Sequence, residues 1–280
     1  MSTELLTIDG RQVRVAQSGD PAHPPVLLVH GIGRSLEDWD ELTERLSDSY
    51  RVIRLDTPGF GFSDPLPGVV DHLSLGQGIA PVLDALGETR PVHAIGNSLG
   101  GSTIMEFAVA HPDRVRSLTL VNSAGFGDTV TPLLRMLAIP VLGWLMTRRT
   151  TRASARMLEN AIFVDRSLVT PKRIDHAIRV GNRRGNGTFM YRMVRALGTR
   201  RGVRPEWRAR LLAAVVQRVR PVLVIWGDRD LILPASHMET ALKTFPHASS
   251  HLFRNIGHMP QIETPDETAR VIREFLATAQ

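Results

Sequence analysis

No cysteine occurs among the 280 residues. Disulfide frameworks, thiolate metal sites and cysteine nucleophiles are therefore excluded. Aromatic residues make up only 5% of the chain, too few to interleave with basic residues as stacking platforms, and no nucleic-acid-binding motif is present, so nucleic acid is not an expected partner. No run of eighteen apolar residues occurs, and nothing reads as a membrane-spanning helix. The opening MSTELLTIDGRQ has no basic region followed by an apolar run, so no secretory signal is expected and the expected location is cytoplasmic. What is present is ordinary for a globular chain, 42% apolar and 22% charged, with enough length to bury a sizeable core.

Charge is distributed unevenly. Residues 127–220 hold 19 Arg and 1 Lys against 5 acidic residues, a local +15, while the rest of the chain carries −9 and the whole +6. Such a block is either a solvated Arg-rich surface or a segment that attracts an anionic substrate, lipid head group or partner.

Alternation organises the remainder. LLTI and RQVRVAQ, joined by Asp9-Gly10, read as a hairpin over 4–17 with a type I′ turn. Apolar runs follow at 25–31, 50–59, 92–98, 115–125 and 221–228, each ending in Gly, Asn or Asp. Their near-continuous apolar character suits parallel strands buried on both faces. Helix-like stretches at 36–48, 74–87, 99–111, 236–245 and 265–278 alternate with them, the signature of an α/β fold. Residues 127–220 break the pattern. They read as helices at 132–146, 152–163, 171–182 and 188–198 inserted between two strands, which divides the chain into a core domain of 1–126 plus 221–280 and an inserted domain of 127–220. In open α/β sheets ligands bind beyond the C-terminal ends of the strands, so the polar residues just after each apolar run are the ones to examine.

Gly96-Asn97-Ser98-Leu99-Gly100-Gly101 lies between an apolar strand and an apolar helix. A serine there sits on a tight, strained turn with its hydroxyl projecting at the top of the sheet, and the N-terminus of the following helix favours developing negative charge. A serine nucleophile needs a base, and the base an orienting carboxylate. His258, in Asn255-Ile256-Gly257-His258-Met259, follows in the chain order this arrangement requires. The remaining histidines, His72 among them, read as ordinary residues. Asp228 and Asp230 compete for the acid; Asp230, further along the loop, can bend back to the histidine, whereas Asp228 reads as a turn residue bonding its own backbone. Glu263 and Asp266 read as helix-start residues. An oxyanion hole needs two N–H donors, assigned to Leu99 and Ile32, the latter in His30-Gly31-Ile32-Gly33, where His30 fixes the loop and Gly31 lets it close on the substrate. Gly31, Asn97 and Met259 are the candidate substrate-contacting positions, with Phe60 or Phe62 as candidate pocket walls.

These motifs, with Asp56-x-Pro58-Gly59-Phe60-Gly61-x-Ser63 and Gly227-x-x-Asp230, resemble the α/β-hydrolase superfamily in its serine-nucleophile branch. The resemblance implies a mostly parallel twisted sheet flanked by helices, with residues 127–220 as a helical cap after the sixth strand. It implies chemistry that needs no metal and no organic cofactor. Within the superfamily the sequence is similar to carboxylesterases and to hydrolases of meta-cleavage products. Gly-Asn-Ser-Leu-Gly-Gly and the Arg-rich cap are similar to the latter; His-Gly-Ile-Gly-Arg and Met259 depart from them.

The reading that follows is a serine hydrolase acting on carboxylic esters of small to medium size, Ser98 attacking, His258 shuttling the proton and Asp230 orienting it. The alternative is carbon–carbon bond hydrolysis of an anionic diketone acid by the same triad. A non-catalytic receptor that kept the fold, and a membrane-surface contact through the basic cap, rank below these.

Overall fold

Asp9 and Gly10 both adopt positive φ, 49° and 74°, as a type I′ turn requires. They join β1 (Thr3–Ile8) to β2 (Arg11–Ser18) in an antiparallel hairpin. Six further strands complete the sheet: β3 (Pro25–Val29), β4 (Arg51–Leu55), β5 (Val92–Asn97), β6 (Val115–Val121), β7 (Val222–Gly227) and β8 (Ser249–Phe253). The order is β1-β2-β4-β3-β5-β6-β7-β8, parallel from β4 onward. This computed structural model describes residues 3–66, 74–217 and 220–279; His72 lies outside them. Every residue of β3, β5 and β7 is buried, as their unbroken apolar composition predicts for strands covered on both faces. β8 is not among the apolar runs of the sequence, because four of its five positions are at least partly exposed at the sheet edge.

Successive side chains on a strand point to opposite faces, and the core divides accordingly. Leu27, Val29, Ala94, Leu118, Leu120 and Val224 pack with Ile104 and Phe107 on one side. Val26, Leu28, Ile95, Val121 and Ile225 pack with Trp39, Leu42, Ile272 and Phe275 on the other. The helix Leu99–Ala110 is buried almost all round, which is why its sequence is apolar without a clear polar stripe.

The inserted segment is helical, with three departures from expectation. The apolar stretch 132–146 is not one helix. It forms two, Pro132–Leu137 and Leu142–Thr147. Pro140 cannot continue a helix, and Val141 turns at φ 65°. A two-residue ribbon pairs Gly198–Thr199 with Gly202–Val203. The helix Pro205–Val215 rejoins the sheet layer: Trp207, Leu211 and Val215 belong to the core cluster of Phe107 and Leu118. The overlying layer thus ends before residue 205, earlier than the composition boundary at 220, because Arg content does not report which face a helix buries.

Three buried histidines are held neutral. Burial pushes His93 down to about 4, helped by nearby Arg116, and lowers His30 and His237 as well. The unfolded chain takes up these protons near pH 6.5; the folded chain does not. Stability is therefore full above that pH and falls as pH drops toward 4, by up to about 3 kcal/mol for His93 alone. Thermal unfolding followed from pH 7.5 to 4.5 is expected to show a falling midpoint, with His93→Gln flattening the curve. A midpoint independent of pH over that range would contradict this.

Candidate active site

The turn from β5 into the helix Leu99–Ala110 places Ser98 at φ 57°, ψ −120°, a conformation that a non-glycine residue adopts only under constraint. Three backbone hydrogen bonds supply it: Ser98 N–H donates to Val121 O (3.0 Å), and Ser98 O accepts from Gly101 (3.0 Å) and Ala124 (2.9 Å). The flanking chain comes so close that side chains are excluded. A Cβ on Gly96 would stand 2.3 Å from Gly100 O, and one on Gly100 2.1 Å from Val29 O.

His258 and Asp230 meet at the same edge of the sheet. Asp230 follows β7, and its Oδ2 lies 2.7 Å from His258 Nδ1. Both are buried. Asp230 is saturated: Oδ1 accepts from the N–H groups of Ile232 (2.7 Å) and Leu233 (3.0 Å), and Oδ2 also accepts from Asn122 Nδ2 (2.7 Å). Four donors fix the carboxylate's orientation and leave its charge facing the imidazole. The histidine's backbone is equally constrained. Asn97 Nδ2, adjacent to Ser98, donates to His258 O (3.0 Å), and His258 N–H donates to Ile162 O (2.8 Å) in the overlying helical layer.

Gly31 stands directly against Ser98; a Cβ there would be 3.1 Å from Ser98 Cβ. That brings the loop carrying Ile32 over the serine, while Leu99 is the first residue of its helix, where a backbone N–H has no partner within the helix. His30 fixes this loop as expected. Thr57 N–H donates to its Nε2 (3.0 Å), which leaves the Nδ1 proton for Gly31 O (2.8 Å). Asp56, fully buried, anchors the next turn of the loop: it accepts from Leu36 N–H (2.8 Å), Phe62 N–H (2.7 Å) and Arg14 Nε (2.7 Å). Gly61 at φ 53° is needed because a Cβ would lie 2.1 Å from the Asp56 carboxyl.

A cavity of about 380 Å³ lies between these loops and the helical layer, lined by Ile32, Gly33 and Phe60 below and Leu137, Met146 and Met190 above. Ile32 and Phe60 also pack with Leu99, so the cavity adjoins the neighbours of Ser98, although Ser98 and His258 do not line it. Arg34 on its wall is held bidentately by Asp38 (2.6 and 2.8 Å) and contacts Glu159 of the helix Arg152–Ile162. Burial opposes that charge, but the two carboxylates outweigh it and raise the Arg34 pKa. Glu263 bridges in the same way, accepting from Gly257 N–H (2.7 Å) and Val164 N–H (2.7 Å); burial raises its pKa despite these donors.

The structure thus joins His258 to Asp230 and, through its backbone, to Asn97 beside Ser98, and sets Gly31 against Ser98. Asn97 is buried, its amide donating to Val121 O and His258 O, and Met259 lies in the main core; like Gly31, Ser98 and His258, neither lines the cavity. Phe60 lines the cavity, whereas Phe62 lies under the Arg14 guanidinium at 4.5 Å. Asp228 accepts from Asn255 N–H (2.7 Å) in the neighbouring loop, not from its own turn. Asp266 opens the helix Pro265–Thr278 as expected. Sequence reasoning missed Asn122 and the Arg34–Glu159 tie. The signal for Asn122 was an Asn at the end of an apolar run; a 125-residue separation left none for the tie.

Comparison with known proteins agrees with the fold. Residues 24–265 match the family model for the alpha/beta hydrolase fold. The chain is 30% identical over 275 residues to the dihydrolipoyllysine-residue acetyltransferase component of the acetoin cleaving system of Cupriavidus necator, covering 98% of this chain and 68% of that one. It is 29% identical to Lipase 1 of Psychrobacter immobilis, covering 97% and 82% of the two chains. A meta-cleavage product hydrolase from Pseudomonas fluorescens IP01 superposes with a TM-score of 0.81 at 27% identity, covering 99% and 98%. These relatives carry the names of different reactions, and on the ground of the family model, which spans most of its length, the chain belongs to the α/β-hydrolase family.

Proposed function

We propose that this protein is a serine hydrolase that cleaves carboxylic esters through an acyl-enzyme. The observation that carries the reading is the strained turn at Ser98, with the buried His258–Asp230 pair tied to it through the Asn97 amide. Ser98 Oγ attacks the acyl carbon as His258 Nε2 takes its proton. Asp230 holds the Nδ1 proton and stabilises the imidazolium. The N–H groups of Leu99 and Ile32 receive the charge on the carbonyl oxygen. The imidazolium then protonates the departing alkoxide, and water repeats the sequence on the acyl-enzyme. Residues 127–204 act as the cap over this site, and the apolar Ile32, Phe60, Leu137 and Met190 walls favour an uncharged acyl or alcohol group.

A second reading, hydrolysis of a carbon–carbon bond in an anionic diketone acid, draws on Lys172, Arg173 and Arg179 in the cavity wall. Against it, Arg34, the cation nearest the oxyanion loop, is already engaged by two carboxylates. Esters are therefore preferred.

Hydrolysis of p-nitrophenyl esters from acetate to decanoate is expected, with kcat/KM falling at least about a thousandfold in Ser98→Ala. Turnover of diketone acids without turnover of esters would instead select the second reading. Asn122 is a positioning residue: Asn122→Ala is expected to lower kcat by roughly ten- to a hundredfold, the loss of one hydrogen bond to a buried carboxylate, with KM little changed. Asn122→Asp should be worse, because it sets a second carboxylate against Asp230. A change in KM alone would show that Asn122 serves packing instead.

A further inference from the structure

Of the four tryptophans, three are buried and one is not: Trp39, Trp207 and Trp226 are 0–3% exposed, Trp144 45%. Trp144 does not stand alone. Val141 is 67% exposed, Leu145 54% and Met136 42%, all from the two short helices Pro132–Leu137 and Leu142–Thr147 and the turn between them. Gly143 locks these helices together, since a Cβ there would fall 1.9 Å from Leu137 O. Leu133, Leu137 and Met146 of the same pair line the cavity. One layer of helix therefore separates the cavity from an exposed apolar face.

The charge around that face has one sign. Residues 129–158 contain five Arg and no Lys, Asp or Glu. Only Arg152 of the five pairs with a carboxylate among the described residues. Arg148 lies over the Trp144 ring at 4.5 Å. Apolar side chains led by a tryptophan and rimmed by arginine match the interfacial zone of an anionic bilayer, where the ring sits at head-group level and the guanidinium groups meet phosphate. A second copy packed through the same face would present the same positive charge and be repelled.

We propose that this face of the cap docks on an anionic lipid surface and that the ester substrate is drawn from that surface, the second part resting on the ester reading above. Docking is tested by mixing the protein with phosphatidylglycerol–phosphatidylcholine vesicles and with phosphatidylcholine vesicles at about 20 mM salt, where screening is weak. Co-sedimentation with the anionic vesicles and a blue shift of Trp144 emission are expected, both diminished at high salt. Leu142→Ser with Leu145→Ser, which keeps the fluorophore, should weaken partitioning about tenfold. Arg148→Glu with Arg149→Glu should do the same. Both variants should retain wild-type turnover of soluble p-nitrophenyl acetate. No vesicle binding at low salt, equal binding by the variants, or a concentration-dependent emission shift without lipid would overturn the docking. Intact vesicle binding by a protein inactive on every ester would support docking and overturn the ester reading.

Discussion

Everything at the site depends on one strained turn. Ser98 can hold its conformation only if the chain before and after it passes closer to its neighbours than side chains allow, which Gly96 and Gly100 permit. Strain of this kind costs of order 1–3 kcal/mol and persists only where surrounding structure over-determines it. Here the over-determination comes from β6 and the segment after it, through Val121 and Ala124. The same close approach brings Asn97 under the His258 backbone, so the geometry of the Ser98 turn also sets the height of His258.

A second layer of constraint is electrostatic. Buried carboxylates do the positioning that loops cannot do alone. Asp56 gathers three donors from three segments around the oxyanion loop, and Asp230 gathers four around the histidine. Removing a single donor from such a group leaves a buried charge less compensated, which is why these contacts matter more than exposed pairs such as Arg152–Asp175. The overlying helices are tied in by the same means. Arg34 to Glu159, Glu263 to Val164 and His258 to Ile162 all join the edge of the sheet that carries His258 to the helix Arg152–Ile162 and the residues after it. A displacement of that helix would carry His258 with it.

Much of this was legible in the residues. The hairpin turn at Asp9-Gly10, the five buried strands and the order of Ser98, Asp230 and His258 followed from periodicity and from polar residues at strand ends. These are local signals, and each was reinforced by its place in an α/β alternation. What escaped was set by distant contacts. Pro140 and Gly143 interrupt the apolar stretch in the sequence, but that the chain turns at Pro140-Val141 into two separate helices was not legible. The return of Pro205–Val215 to the sheet was hidden by its two arginines, of which Arg210 is exposed while Arg208 buries Nε and Nη1. Asn97 and Met259 showed that adjacency to a motif fixes a backbone position and not what the side chain touches.

The central claim is that Ser98 is a nucleophile activated by His258. Intact-protein and peptide mass spectrometry after treatment with a fluorophosphonate tests it most directly, because the reagent records the attack itself, independent of substrate preference. The account predicts one phosphonyl adduct, located on Ser98, and its loss in His258→Gln with the fold retained. A folded wild-type protein that takes no adduct, or takes it on another residue, would contradict it.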